Sequence, residues 1–250
     1  MTDVFGRMVA DYHFGDLAGQ PVYERSDGDE SPAQCAWYFA GPEDWGPLED
    51  AAIDACVATQ SGTTRATPRV LDAGCGPGRA LEPLAARGAD PLGIDESPGA
   101  IHVARDWTGQ PAIVGDLATL PFAGGSVDAA LFLGTHVGTA GTIEGVRDLL
   151  TKLDRVISPG GRVVADLYDP TAVEADDLRT YLDDRWLAEG VAIREFRLRY
   201  DGDAGRWRTL LMASPAALER LVAPTPWSTA RIEHGEDTRY LFVLERDGAR

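Results

Sequence analysis

The sequence predicts an α/β fold with a mostly parallel sheet and helices on both of its faces. Three observations predict it. Short apolar runs alternate with helical spacings from Arg69 to Leu167. One run, Val70-Leu71-Asp72-Ala73, leads directly into the glycine-rich turn Gly74-Cys75-Gly76-Pro77-Gly78. Ser126–Leu133 is nearly all apolar, as expected of a strand covered on both faces.

The elements follow in order. Before residue 69, Asp27-Gly28-Asp29-Glu30-Ser31-Pro32 reads as a polar loop, Leu48–Thr59 as a helix and Ser61–Pro68 as a polar linker. Arg69–Ala73 is the first strand of the alternation, and Arg79–Arg87 is a helix stopped by Gly88. Asp90–Asp95 is the second strand. Ser97-Pro98 starts a helix that runs to about Asp106, with Pro98 at its first position. Ala112–Val114 and Ser126–Leu133 are the third and fourth strands. Ile143, Val146, Leu149, Leu150, Leu153, Val156 and Ile157 fall on one helical face. Ser158-Pro159-Gly160-Gly161 is a turn, and Arg162–Leu167 is the fifth strand.

After that the pattern changes. Leu178–Leu187 has helical character. Val191–Tyr200 and Arg206–Met212, joined by Asp201-Gly202-Asp203-Ala204-Gly205, read as a hairpin. Ser214-Pro215 caps a helix to Val222, and Thr229–Glu233 and Tyr240–Leu244 read as the last two strands. The expected organisation is an N-terminal helical and aromatic segment, 1–68, covering a domain at 69–250, with the hairpin inserted at about 190–212.

Composition narrows the functions. The 250-residue chain carries 40 acidic and 23 basic residues, a net charge of −17. Such a field repels nucleic-acid phosphates and anionic membranes. Lys152 is the one lysine among the 23 basic residues, which fits either GC-rich coding or a salt-rich cytoplasm. No apolar run reaches the roughly 18 residues of a membrane span, and residues 1–10 lack the apolar core of a signal peptide. Cys35, Cys56 and Cys75 suit neither a disulfide framework nor a zinc site. His13, His102, His136 and His234 show no ligand spacing, so no metal is expected. A cytoplasmic address is the simplest.

The turn at 74–78 points to a ligand. Glycines there allow positive φ and close approach of a ligand to the backbone. A dinucleotide loop needs G-x-G-x-x-G, which would put glycine at position 79, where Arg79 stands. The observed G-x-G-x-G, with Asp72 two residues before it, suits a cationic amino acid instead. The string from Val70 to Arg79 resembles motif I of the class I S-adenosylmethionine-dependent methyltransferases. Leu120-Pro121-Phe122 with Ser126-Val127-Asp128, and the stretch Leu153–Val164, resemble later segments of that family in the same order. The resemblance covers about residues 69–167. It implies a Rossmann-like three-layer sandwich with an antiparallel last strand, and S-adenosyl-L-methionine as cofactor.

It also implies roles. Asp72, Gly74, Cys75, Gly76 and Gly78 would form the cofactor loop. Asp95, with Glu96 beside it, would hold the ribose hydroxyls, and Asp116 and Leu117 the adenine. Leu133 and Gly134 would line the methyl end. Asp116 also reads as an ordinary loop aspartate of an acid-rich chain. No NPPY signature follows the fourth strand, where Gly134-Thr135-His136-Val137-Gly138 stands. Transfer to a nucleobase or protein amide therefore loses support, and a small-molecule acceptor is expected. His136 is the candidate general base, with a backbone-bonded loop histidine as the plainer reading. Tyr168, followed by Asp169, could orient an acceptor or simply end a strand before Pro170.

Arg194, Arg197, Arg199, Arg206 and Arg208 read either as a patch for an anionic substrate or as solvated strand edges. Three rivals remain. One is an oxidoreductase using a nicotinamide cofactor. The second is a protein that binds S-adenosylmethionine without transferring its methyl. The third uses that cofactor for other chemistry.

Overall fold

The computed structural model describes residues 2–58 and 65–246. Residues 61–64 of the expected linker, and Thr59 at the end of the expected helix, lie outside the described residues. In chain order the elements begin with α1 (Val4–Phe14), β1 (Val22–Arg25), β2 (Glu30–Pro32), a 3₁₀ turn at Cys35–Phe39, and α2 (Pro47–Val57). The alternating part follows: β3 (Arg69–Ala73), α3 (Leu81–Ala86), β4 (Asp90–Asp95), α4 (Pro98–Thr108), β5 (Ala112–Val114), β6 (Val127–Phe132), α5 (Ile143–Val156) and β7 (Ile157–Tyr168). The last third holds α6 (Asp176–Leu182), β8 (Trp186–Ala188), β9 (Val191–Tyr200), β10 (Asp203–Ala204), β11 (Arg208–Ala213), α7 (Pro215–Val222), β12 (Trp227–His234) and β13 (Arg239–Arg246).

The main sheet has the order β12-β13-β7-β6-β3-β4-β5. β5, β4, β3, β6 and β7 run parallel, and β13 is antiparallel to both β7 and β12. Period-two alternation sorts its side chains to two cores. Leu71, Ala130, Phe132, Val163 and Phe242 meet α5 and α7. Val70, Ala129, Leu131, Val164 and Val243 meet α2 and α3. The α5 stripe behaves as its spacing predicts, burying Val146, Leu149, Leu150, Leu153 and Val156. Each such side chain contributes about 1.5–3 kcal/mol of burial.

Caps agree with the local sequence. Ser97 accepts from the Ala100 amide to start α4, and Ser214 from the Ala217 amide to start α7. Asp3 caps α1 through the Gly6 amide and also accepts from Ser97 Oγ and the Gly99 amide. One carboxylate thus serves two helix N-termini and pins α1 to α4.

A second, smaller sheet is built around β9, which pairs antiparallel with β1, β8, β10 and β11. The expected hairpin is β9–β11. It is joined by an N-terminal hairpin, β1–β2, of which Glu30–Pro32 was expected to be loop. Three further differences have local causes. The helix expected over Leu178–Leu187 stops at Leu182, because Trp186–Ala188 folds back along β9 through Gly190, at φ +72°. Residues 158–161 bulge within β7, so that Ile157 pairs with Val127 and Arg162 with Ala129. The helix expected from Arg79 starts at Leu81. The segment 1–68 is also divided: α2 packs under the main sheet, whereas α1 and the 3₁₀ turn pack with β9. No helix among the described residues is long and apolar enough to cross a membrane.

Candidate active site

A cavity of about 500 Å³ opens at the carboxyl ends of β3, β4, β5 and β6. That is where open parallel sheets bind ligands. The loop Gly74-Cys75-Gly76-Pro77 forms its floor, and Phe196 and Leu198 of β9 and Leu210 of β11 form part of its roof. Phe5 of α1, Tyr23 of β1, and Trp37 and Tyr38 of the 3₁₀ turn close one side.

Asp95 ends β4 at the cavity wall and is 6% exposed. Its carboxylate accepts from the amides of Gly76, at 3.0 Å, and Ser97, at 2.9 Å. These bonds aim it and tie the glycine loop to the start of α4. Glu96, beside it, is held by Arg206 and Arg208 from the roof. Asp116 and Leu117 line the far end at β5, where Asp116 accepts from the Ala118 amide at 2.8 Å.

His136 follows β6 and lies on the glycine loop. A Cβ on Gly74, whose φ is +80°, would stand 2.0 Å from His136 Cδ2. Glycine is therefore required twice there, by conformation and by contact. Burial lowers the histidine pKa, Asp95 opposing and Arg208 reinforcing the effect. A neutral imidazole at pH 7 is able to accept a proton.

Behind the loop lies a buried charged cluster. Asp72 is 3% exposed, and burial pushes its carboxyl up to about 7, with Arg79 opposing. Burial raises Asp166 to about 6, while the Thr135 amide, Arg239 and Arg79 oppose. Glu49 of α2 meets Arg239 at 3.1 Å. Arg79 stacks on Trp37, its guanidinium carbon 3.8 Å from the ring centre.

Of the candidate residues, Gly74, Cys75, Gly76, Asp95, Glu96, Asp116, Leu117, Leu133, Gly134 and His136 all face this one cavity. Asp72, Gly78 and Tyr168 do not. Asp72 turns into the charged cluster beneath the loop. A Cβ on Gly78 would press on Leu81, Ala104 and Thr108 at 3.1–3.2 Å, so this glycine serves the packing of α4. Tyr168 packs against Val173, Tyr181 and Leu182 instead, because it leaves β7 toward α6. Asp169 accepts from Thr171 in the turn before α6.

Sequence reasoning assigned no site role to Phe5, Tyr23, Arg79, Lys152, Phe196 or Leu198, which also line the cavity. The aromatic run at 35–39 was a usable signal for the cover. The hairpin arginines mostly neutralise acids: Arg197 holds Glu24, Arg199 holds Glu24 and Glu30, and Arg206 and Arg208 hold Glu96.

A family model described as a methyltransferase domain matches residues 71–165. Residues 71–165 therefore carry a methyltransferase domain, the class that the glycine-loop motif resembles. The match covers the strands that carry the glycine loop, Asp95, Asp116 and His136. The methyltransferase domain is 32% identical over 110 residues to the ubiquinone biosynthesis O-methyltransferase of Azorhizobium caulinodans, covering 41% of each chain. It is 37% identical over 105 residues to the demethylmenaquinone methyltransferase of Renibacterium salmoninarum, covering 41% of this chain and 43% of that one. The chain therefore matches less than half the length of these relatives. A methyltransferase structure from Bacteroides fragilis, solved with S-adenosyl-L-homocysteine, superposes with a TM-score of 0.79 at 22% identity. That alignment covers 98% of this chain and 95% of that one, so the methyltransferase fold extends beyond the matched domain into the cover and the roof.

Proposed function

We propose that the protein binds S-adenosylmethionine in this cavity and transfers its methyl group to a small-molecule acceptor. The observation that carries the reading is the Asp95 carboxylate, fixed at the end of β4 beside a glycine loop at positive φ. The cavity residues fit that cofactor. Asp95 offers acceptors for vicinal hydroxyls, and Asp116 at the β5 end offers one for an exocyclic amine. The glycine floor lets a ligand lie on the backbone.

Bound there, the cofactor supplies an electrophilic methyl, and the protein supplies orientation and exclusion of water. Phe196, Leu198 and Leu210 shield the cavity from above. Neutral His136, on the loop, is placed to take a proton from an acceptor hydroxyl or amine. Residues 69–250 would form the transferase, with α1, β1 and the turn at 35–39 as its cover. Small-molecule acceptors are supported by the quinone-pathway names of the relatives and by the absence of an NPPY signature. The net charge of −17 disfavours nucleic acid and anionic membranes as partners. It also supports a cytoplasmic setting rich in salt.

Calorimetric titration with S-adenosylhomocysteine tests the reading, on wild type and Asp95→Ala, at low and high KCl. Wild type should bind, and the variant should bind at least about tenfold more weakly, the loss expected when charge-assisted hydrogen bonds go. No binding by wild type at either salt concentration would sink the proposal and turn attention to nicotinamide cofactors.

A further inference from the structure

Of the hairpin arginines, Arg197, Arg199, Arg206 and Arg208 each hold an acid. Arg194 does not. Among the described residues no carboxylate oxygen lies within the 4.0 Å of an ion pair from it, and its buried Nε has no hydrogen-bond partner. Its two Nη atoms are neither bonded nor buried, so they are open to a ligand. A desolvated guanidinium N–H without a partner costs stability, and such donors are normally paired.

Arg194 lies on the cavity side of the roof. Alternate side chains of a strand share a face, and Phe196 and Leu198 of the same strand line the cavity. Across the strands Arg194 pairs in register with Leu210, another wall residue, which sets their Cβ atoms roughly 5 Å apart. The guanidinium carbon stands 5.9 Å from the ring centre of Phe196. Burial raises the pKa of Tyr23 and of Tyr168, and at both Arg194 is among the cations that oppose it. Its charge is therefore felt at Tyr23, on the cavity wall. Leu210 continues the path. A Cβ on Gly138 would stand 2.9 Å from Leu210 Cδ1, so Leu210 rests on the 3₁₀ turn His136–Ala140, which the candidate base opens. From Arg194 the wall runs over Phe196 and Leu210 to His136.

A net charge of −17 repels anions from the chain at large. An anion is retained only beside a cation that no acid has already neutralised. Arg206 and Arg208, also on the cavity wall, are both committed to Glu96. We propose that Arg194 anchors an anionic group of the methyl acceptor, so that the acceptor is a small molecule with a carboxylate at one end and an apolar body along Phe196 and Leu210. The planar fork of an arginine matches a carboxylate. The inference rests on the proposed transferase and deepens it by naming the acceptor class.

Matched carboxylate and carboxamide probes test it: benzoate with benzamide, and hexanoate with hexanamide. Each is titrated into the full chain in dilute buffer, with and without S-adenosylhomocysteine. Wild type, Arg194→Met, Arg194→Lys and Arg208→Met are compared, with thermal melts as the check on folding. Wild type should bind each carboxylate at least about fivefold more tightly than its carboxamide, the scale of one charge-assisted pair in a partly exposed site. Arg194→Met should bring the two within about twofold, while S-adenosylhomocysteine stays within about twofold of wild type. Arg208→Met should keep the preference. Arg194→Lys, which keeps the charge and loses the fork, should retain part of it. If Arg194→Met does not fold, Arg194→Lys carries the test through a preference cut by at least about half. No preference in wild type, a preference that survives Arg194→Met, or one lost only in Arg208→Met would overturn the inference and leave the cofactor reading standing. Failure of wild type to bind S-adenosylhomocysteine would overturn the cofactor reading instead, and the probes titrated without it still decide the anchor.

Discussion

The His136 ring fills the space that a Cβ on Gly74 would need, its Cδ2 standing 2.0 Å from that position. Gly74 closes β3, and His136 opens the 3₁₀ turn after β6, so the contact joins the ends of neighbouring strands. It sets the candidate base directly on the loop proposed to carry the cofactor.

Gly74→Ala should therefore fail for two reasons. Alanine at φ +80° is strained, and its methyl displaces the imidazole. A loss of about 1–3 kcal/mol is expected, seen as a lower melting temperature, with at least about tenfold weaker binding of S-adenosylhomocysteine. Adding His136→Ala should restore part of the stability, because the two residues share one space. Strict additivity of the two changes would show that they do not compete.

The imidazole of His136 has its pKa lowered by burial. If it takes the acceptor proton, activity should be flat above pH 7 and should fall only below the usual histidine value, about 6.5. His136→Asn should abolish that acid limb along with most of the rate. The same shift governs stability. The folded state resists protonation that the unfolded chain accepts, so stability is lost as pH falls through 6.5 toward the depressed folded value. Melting curves of wild type and His136→Asn between pH 5 and 8 should therefore diverge only on the acid side.

Asp72 has the opposite sign. Its folded pKa is raised to about 7 by burial, so the native state holds a proton that the unfolded chain releases near 4. Stability from this group is present in acid and lost as pH rises through 7. Asp72→Asn should be more stable than wild type at pH 8, by about 1–2 kcal/mol, with the gap closing toward pH 5. Urea denaturation at both pH values measures it. A variant less stable than wild type at pH 8 would show that the charge attraction between Asp72 and Arg79 outweighs the cost of burying Asp72.

Salt should stabilise the chain as a whole. With a net charge of −17, self-repulsion is long-ranged in dilute buffer and screened in molar KCl. The melting temperature should be higher by several degrees in 2 M KCl than in dilute buffer. Equal or lower values in KCl would contradict adaptation to a salt-rich cytoplasm.

Much of this protein was legible because its signals are local. The apolar runs from Arg69 to Leu167 became the parallel strands and helices within a few residues of their expected limits. The two serine-proline caps, Ser97 and Ser214, started helices as read. What was misread involved competition between distant partners. Trp186 and Leu187 have helical character, but β9 offers them a strand neighbour. Glu30–Pro32 reads as loop until β1 lies beside it.

The candidate site divides along the same line. Asp95, Asp116 and the glycine loop are announced by position, because each ends a strand or opens a turn whose pattern lies within ten residues of it. Arg79 is different: in the sequence it is only the residue that breaks a dinucleotide motif. Its surroundings depend on Trp37 folding over it and on Asp166 and Glu49 gathering near it, from elements far apart in the chain. Glu96 likewise meets Arg206 and Arg208 across more than a hundred residues. By itself the sequence determined the parallel core, the loop and the order of its acidic strand ends, since periodicity and turn chemistry act between near neighbours. Only the tertiary structure decided which charges are paired, which are buried unpaired and which aromatic rings close the cavity. Those outcomes depend on strand register and burial, which no short stretch of chain contains.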